Sequence, residues 1–228
     1  MRHIILDTET TGLRADEGDR IVEIGCLEVV HYQPSGKTFQ SYLDPERPVS
    51  AKTTEITGIT DETVRGQPKF ADIVEDFLAF IGDAKLVMHN ADFDVSFLNA
   101  ELKRAGYPEI DRGRVIDTLA IARKKFPGSP ASLDALCRRF GVDNSARDKH
   151  GALLDSELLA EVYLELMGGR QPGLIFQSGH PQEQETQNGP RRPQSRRATA
   201  LPSRIRPEEV QAHDAFLDQL PVSAMWRH

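Results

Sequence analysis

Two cysteines in 228 residues, Cys26 and Cys137, are too few and too far apart for a disulfide framework. Cys26 falls in a strand-like run and Cys137 in a helical one, so both are expected to be buried thiols in a reducing cytoplasm. No apolar run is long enough to span a bilayer, and "MRHIILD" lacks the hydrophobic core of a signal peptide. The expectation is a cytoplasmic protein without a membrane role. Positive charge is also short. Residues 169–228 hold 8 Arg and no Lys against 6 acids; set against totals of 28 basic and 35 acidic residues, that leaves 20 and 29 in residues 1–168, a balance of about −9. Such a body cannot hold nucleic acid tightly by itself, because phosphate contacts need Lys and Arg. If it acts on nucleic acid, metals and a partner must supply the residence time.

What is present is a change of hydrophobic period along the chain. "HIILD" (3–7) is a short apolar run ending in an acid, as a buried strand does. "RIVEIGCLEVV" (20–30) and "KTFQSYLD" (37–44) read as two more strands, with Gly18 and "QPSG" as the turns between. "FADIVEDFLAFIG" (70–82) then puts Ile73, Val74, Phe77, Leu78 and Ile81 on one helical face, closed by Gly82. Strands at 85–90 and 114–117 alternate with helices at 94–106, 117–125, 132–140 and 152–166. Three meandering strands followed by helix and strand units imply an α/β fold, a ribonuclease-H-like mixed sheet flanked by helices, over residues 1–168.

From Gly168 the composition changes. Residues 169–206 are polar and rich in Gln, Pro and Arg; they cannot bury enough surface to offset their ordering entropy and read as a flexible, largely disordered linker. The Arg-rich stretch 191–197 reads as part of that solvated linker. A weak helix is expected after Pro207, with Glu208 and Glu209 in its first turn and Val210, Phe216, Leu217 and Leu220 giving it an apolar face.

The chemistry-bearing residues are Asp7 and Glu9 in "ILDTETTG", Asp94 in "HNADFDVSFL", and His150 and Asp155 in "HGALLD". None of the acids has a cation one helical turn away, and converging carboxylates cannot all stay ionised without cations between them. Asp7 and Glu9 are two apart, so a regular strand points both to one side, where both reach one ion. Oxygen ligands favour Mg²⁺ or Mn²⁺ over zinc, and two such ions can clamp the attacking and leaving oxygens of a phosphoryl transfer. Asp94 is placed at a helix start, where a carboxylate also suits the N-terminus. His150, just before a helix, can take a proton at neutral pH.

"DTETTG", "HNADFDVSFL" and "HGALLD", in that order, resemble the three exonuclease motifs of the DEDD superfamily in its histidine-bearing branch. Residues 1–168 are similar throughout to the epsilon proofreading subunits of bacterial DNA polymerase III; "RIVEIGCLEVV", "TGITDE", "VIDTLAIARKKFPG" and "SLDALCRRFGVDNS" add to the likeness. The resemblance implies that Asp7, Glu9, Asp94 and Asp155 bind two divalent ions and that His150 is the general base. It implies 3′→5′ release of 5′-mononucleotides from DNA. Glu9, Thr57, Asn90 and Asp155 are the implied substrate contacts, with Thr57 in the "EITGIT" loop (55–60) at a position where some relatives carry His; Asn90 serves equally well to orient the Asp94 turn. His89 reads as structural. "QPGLIF" (171–176) resembles a sliding-clamp peptide, with Gln171, Leu174 and Phe176 as its anchors. The implied partners are the DNA 3′ end, the polymerase III catalytic alpha subunit, docked by residues 207–228, and the clamp; a small accessory subunit stays open. Two other readings stand beside this one: an RNA 3′ exonuclease of the oligoribonuclease kind, which would not need the tail, and a catalytically idle bridge between clamp and polymerase, against which the five intact positions argue.

Overall fold

The structure is a computed structural model and describes residues 1–145, 147, 149–169 and 207–218. Five strands form one sheet in the order β3-β2-β1-β4-β5. β1 (Arg2–Thr10), β2 (Ile21–Val30) and β3 (Gln33–Tyr42) are an antiparallel meander, and β4 (Lys85–Met88) and β5 (Val115–Asp117) add in parallel beyond β1. The helices in chain order are α1 (Ala51–Thr57), α2 (Asp61–Val64), α3 (Phe70–Ile81), α4 (Ala91–Arg104), α5 (Thr118–Lys125), α6 (Leu133–Phe140), α7 (Ala152–Leu166) and α8 (Pro207–Asp218). α8 belongs to a second unit of the chain and is described by itself; Val210 and Phe216 on it are exposed. The mixed sheet with flanking helices is the expected fold class.

Strand alternation divides the core in two. Ile4, Leu6, Ile24, Cys26, Leu86 and Met88 pack under α3 and α4. Ile5, Leu27, Val29 and Val87 pack against α5, α6 and α7 on the other face. Both cysteines are buried and free. Asp7 and Glu9 continue the face of Ile5, and their partners across the ladder are Gly25 and Glu23. The first turn of α7 lies directly on Gly25. A Cβ there would stand 2.2 Å from Ala152 C and Leu153 N, so only glycine admits the helix at this depth. Ser156 Oγ donates to the Gly25 carbonyl at 3.0 Å and fixes the contact. On the opposite face Arg20, just before β2, makes a two-pronged bond to the buried Glu101 of α4, at 2.6 and 2.9 Å.

Several boundaries differ from those read in the sequence. The β2–β3 turn is His31–Tyr32, not "QPSG": both residues have positive φ (51° and 63°), the two-residue geometry that matches strand twist. Residues 33–36 lie inside β3, and Gly36, at φ 86°, sits where its register with β2 shifts. β1 runs on to Thr10, so Asp7 is within the strand rather than at its end. The 55–60 segment is not a plain loop. Ser50 and Thr60 cap α1 and α2, and Thr57 is the last residue of α1 before the left-handed Gly58. α4 starts at Ala91, three residues earlier than read, and Asp94 falls in its first turn. The linker, "QPGLIF" and the Arg-rich stretch lie outside the described residues.

Candidate active site

β4 pairs with β1 only at His3–Ile5, so residues 7–10 project past the end of β4. The carboxyl ends of the parallel strands β1, β4 and β5 thus open together where the strand order reverses, between β1 and β4, the place where α/β sheets form ligand crevices. A cleft of about 820 Å³ lies there, lined by Asp7, Glu9, Asp94, His150 and Asp155, and by Thr57 and Asn90. Every candidate residue from the described part of the chain therefore reaches one cavity.

Asp94 is 2% exposed and is held from β1: Thr8 donates to its Oδ1 from the backbone N–H at 3.1 Å and from the hydroxyl at 2.7 Å. Asp155 is 3% exposed, on the first turn of α7. His150 precedes that helix, and its N–H donates to the Ile56 carbonyl at 3.2 Å, which ties the loop to α1. Glu9, His150 and Asp155 each place a donor atom within 4.8 Å of the others. Asn90 caps α4 in a left-handed conformation (φ 68°); its N–H donates to Asp117 Oδ1 while its side chain makes no cap bond and faces outward. The Thr57 hydroxyl donates to Thr53 O and accepts from Ile59 N–H, so α1 already uses much of its capacity. His89 Nδ1 sits 2.9 Å from Thr118 Oγ1, consistent with a structural residue, although the ring also lines the cleft.

Four residues at or beside the site escaped the sequence reading. Glu23, opposite Glu9 in the ladder, is 2% exposed and accepts from Ala152 N–H at the α7 N-terminus (3.1 Å) and from Gln40 (2.8 Å), which relieves an otherwise unfavourable pair of like charges. Arg147 forks onto Asp155 at 2.5 and 2.6 Å, so that acid does have a cation, eight residues away across a loop rather than one helical turn away. Leu13 and Ile56, both exposed, give the cleft an apolar wall.

The remaining acids are poorly compensated. Burial raises the pKa of Asp7 well above the carboxylate range, and Asp94, Glu9 and Asp155 push the same way. Burial and then Asp155 raise Glu9 to about 8. Burial raises Asp94 to about 7 against the Thr8 hydrogen bonds. Burial also works to raise Asp155, but hydrogen bonds from His150 and Arg147 hold it below its ordinary value. The His150 ring is held up chiefly by its hydrogen bond to Asp155. Four carboxylates and an imidazole around one cavity, three of the acids favouring protons for want of cations, fit hard divalent ions such as Mg²⁺ or Mn²⁺.

Comparison with known proteins agrees. The family model described as Exonuclease matches residues 4–163. DNA polymerase III subunit epsilon of Rickettsia felis is 46% identical over 98% of this chain and 99% of its own. The Escherichia coli K12 protein of the same name is 40% identical over 99% and 97%. The chain belongs to the exonuclease family, among the polymerase III epsilon subunits. A solved structure of Exonuclease X, in complex with 5′ overhanging duplex DNA, superposes on the exonuclease with a TM-score of 0.56 at 28% identity, covering 72% of this chain and 90% of that one. Exonucleases of this fold depend on divalent metal, as the acidic cleft requires.

That dependence should be visible in stability. Glu9 and Asp94 titrate at about 8 and 7 in the folded exonuclease, with Asp7 also raised. Unfolded, they would titrate near about 4. Between those limits the fold binds more protons than the unfolded chain, so the contribution of these acids to stability falls as pH rises through the window. Asp155, lowered, works in the opposite sense only at the acid end. Divalent cations bound at these acids would take the place of the protons. Saturating Mg²⁺ should raise the melting temperature at pH 8 by roughly 5–10 °C, the shift expected at about 100 times Kd, and by much less at pH 5. Equal shifts at both pH values would mean that ions bind elsewhere.

Proposed function

We propose that this exonuclease proofreads DNA synthesis as a subunit of the replicative polymerase, hydrolysing the 3′-terminal nucleotide to a 5′-monophosphate. The observation that carries this is the meeting of Asp7, Glu9, Asp94, His150 and Asp155 in one cleft. Asp7, Glu9, Asp94 and Asp155 hold two divalent ions, Mg²⁺ or Mn²⁺. When bound, these supply Lewis-acid stabilisation of the attacking and leaving oxygens of an in-line displacement. His150 takes the proton of the attacking water. Its Nδ1 lies 2.8 Å from Arg147 Nη2 and 3.2 Å from Asp155 Oδ2. The neutral ring that can act as base carries its proton on Nδ1, directed at Asp155, which leaves Nε2 free for the water's proton; the same carboxylate stabilises the charge once the ring is protonated. Leu13 and Ile56 offer the terminal nucleotide an apolar wall, and Glu9, Thr57, Asn90 and Asp155, which line the same cleft, contact it.

A cleft at the end of a sheet takes a frayed strand, and fraying costs least at a mismatch. Initial rates with Mg²⁺ should therefore be higher on a mispaired than on a paired DNA 3′ end. Equal rates would count against proofreading, and preference for short RNA would favour the oligoribonuclease reading.

The proposed partners rest on the relatives' names and on the tail. Relatives called DNA polymerase III subunit epsilon align over 98–99% of this chain, the tail included. α8 carries the exposed Val210 and Phe216, and residues 207–228 dock the alpha subunit. Gln171, Leu174 and Phe176 engage the clamp. None of the described helices is long and apolar enough to cross a membrane, and we place the protein in the cytoplasm. Truncation at Gly169 should leave hydrolysis of free oligonucleotides unchanged but remove co-purification with the polymerase. Stoichiometric co-purification of the truncated protein would move the docking site onto residues 1–168.

A further inference from the structure

The loop between α6 and α7 lowers one arginine into the acidic cleft. The Arg147 side chain is 7% exposed, and all three of its nitrogens are engaged. Nε and Nη2 donate to Asp155 Oδ1 and Oδ2 at 2.5 and 2.6 Å. Nη1 donates to Asp134 Oδ1 at 2.6 Å, and Nη2 also meets His150 Nδ1. The two acids it bridges differ in setting. Asp155 has a side-chain exposure of 4% and shares both oxygens with the fork; Asp134 is 43% exposed on the first turn of α6 and also accepts from Asn144.

A guanidinium cannot shed its proton, so it can yield to a second cation only by moving. A divalent ion arriving at Asp155 meets oxygens already bonded to Arg147 and, with them, a like charge in a poorly solvated pocket. The bond to Asp134 does not involve Asp155, so it can persist when the other two break. We propose that Arg147 is the resident counter-ion of the site: it competes with the divalent cation for Asp155, and Asp134 is the anchor that retains it when Asp155 turns to the cation. This rests on the reading of Asp155 as a metal ligand.

The test is Mn²⁺ affinity of the full chain, followed by the electron paramagnetic resonance of free Mn²⁺, together with the melting temperature in chelator. Arg147→Gln should bind Mn²⁺ on the order of tenfold more tightly, since a close like charge has gone, and should melt earlier in chelator because Asp155 has lost its partner. Arg147→Lys, which keeps the charge without the fork, should tighten binding less; it decides the matter by the same sign if the glutamine variant does not fold. Asp134→Ala, which leaves Arg147 no carboxylate but Asp155, should weaken Mn²⁺ binding several-fold, and unchanged affinity there would remove the anchor. Folded Arg147→Gln protein that binds Mn²⁺ no more tightly than the parent overturns the competition. Asp155→Asn separates the two failures: if it leaves Mn²⁺ affinity unchanged, the metal-ligand reading has failed; if it weakens binding while Arg147→Gln does not tighten it, only the competition has.

Discussion

Replacing Asp7 and Glu9 together by alanine should cut 3′→5′ hydrolysis by at least about 10³-fold, since ions in such a site are worth several kcal/mol of transition-state stabilisation. Both side chains lie on the strand face that meets α7, and both line the cleft. The fold should survive. Neighbouring carboxylates push both pKa values upward, Asp94 and Glu9 that of Asp7 and Asp155 that of Glu9, so removing the pair relieves repulsion, and the melting temperature in chelator should hold or rise. Nuclease assay and thermal denaturation of one preparation check both halves. Near-normal turnover in a folded double variant would remove the pair from the chemistry.

His150→Ala should lower turnover by roughly 10²–10⁴-fold, the usual worth of a positioned base, while Mn²⁺ binding persists through the four carboxylates. The imidazole is held by Arg147 and Asp155, and the loop by the bond from its N–H to Ile56. That last bond is backbone and survives the substitution, so the loss should fall on kcat more than on KM. A variant whose main change is in KM would make His150 a substrate contact instead of a base.

Much of this was readable from the sequence where one signal dominated. α3 has the 3.6-residue period over its twelve residues, α7 is a long apolar run of helix formers without Gly or Pro, and the structure ends both close to where the pattern stops. α1 and α2 did not show because they are 7 and 4 residues long, rich in β-branched Thr, and held by their caps and packing rather than by propensity. The His31–Tyr32 turn was hidden because it has none of the Gly, Asn or Asp that mark two-residue hairpin turns, while the nearby "PSG" is a turn-type run that marks an irregularity inside β3. The five motif residues were legible because their order and spacing are specific. Glu23 looked like one more polar residue in an alternating strand, and Arg147 acts across a loop with no periodic relation to Asp155. Such through-space partners leave no mark in spacing.

The seat of α7 on Gly25 also bears on when activity can first arise. The helix that carries Asp155 closes the sheet face opened by β1 and β2, so the cleft joins the two ends of the exonuclease unit. During synthesis, at roughly 5–20 residues per second, Glu9 leaves the ribosome on the order of ten seconds before Asp155 is made. Until then the meander has no lid over Gly25 and the site lacks the fourth of its acids. A nascent or prematurely terminated chain would thus hold no assembled nuclease, and hydrolysis of DNA must wait until nearly the whole unit has been translated.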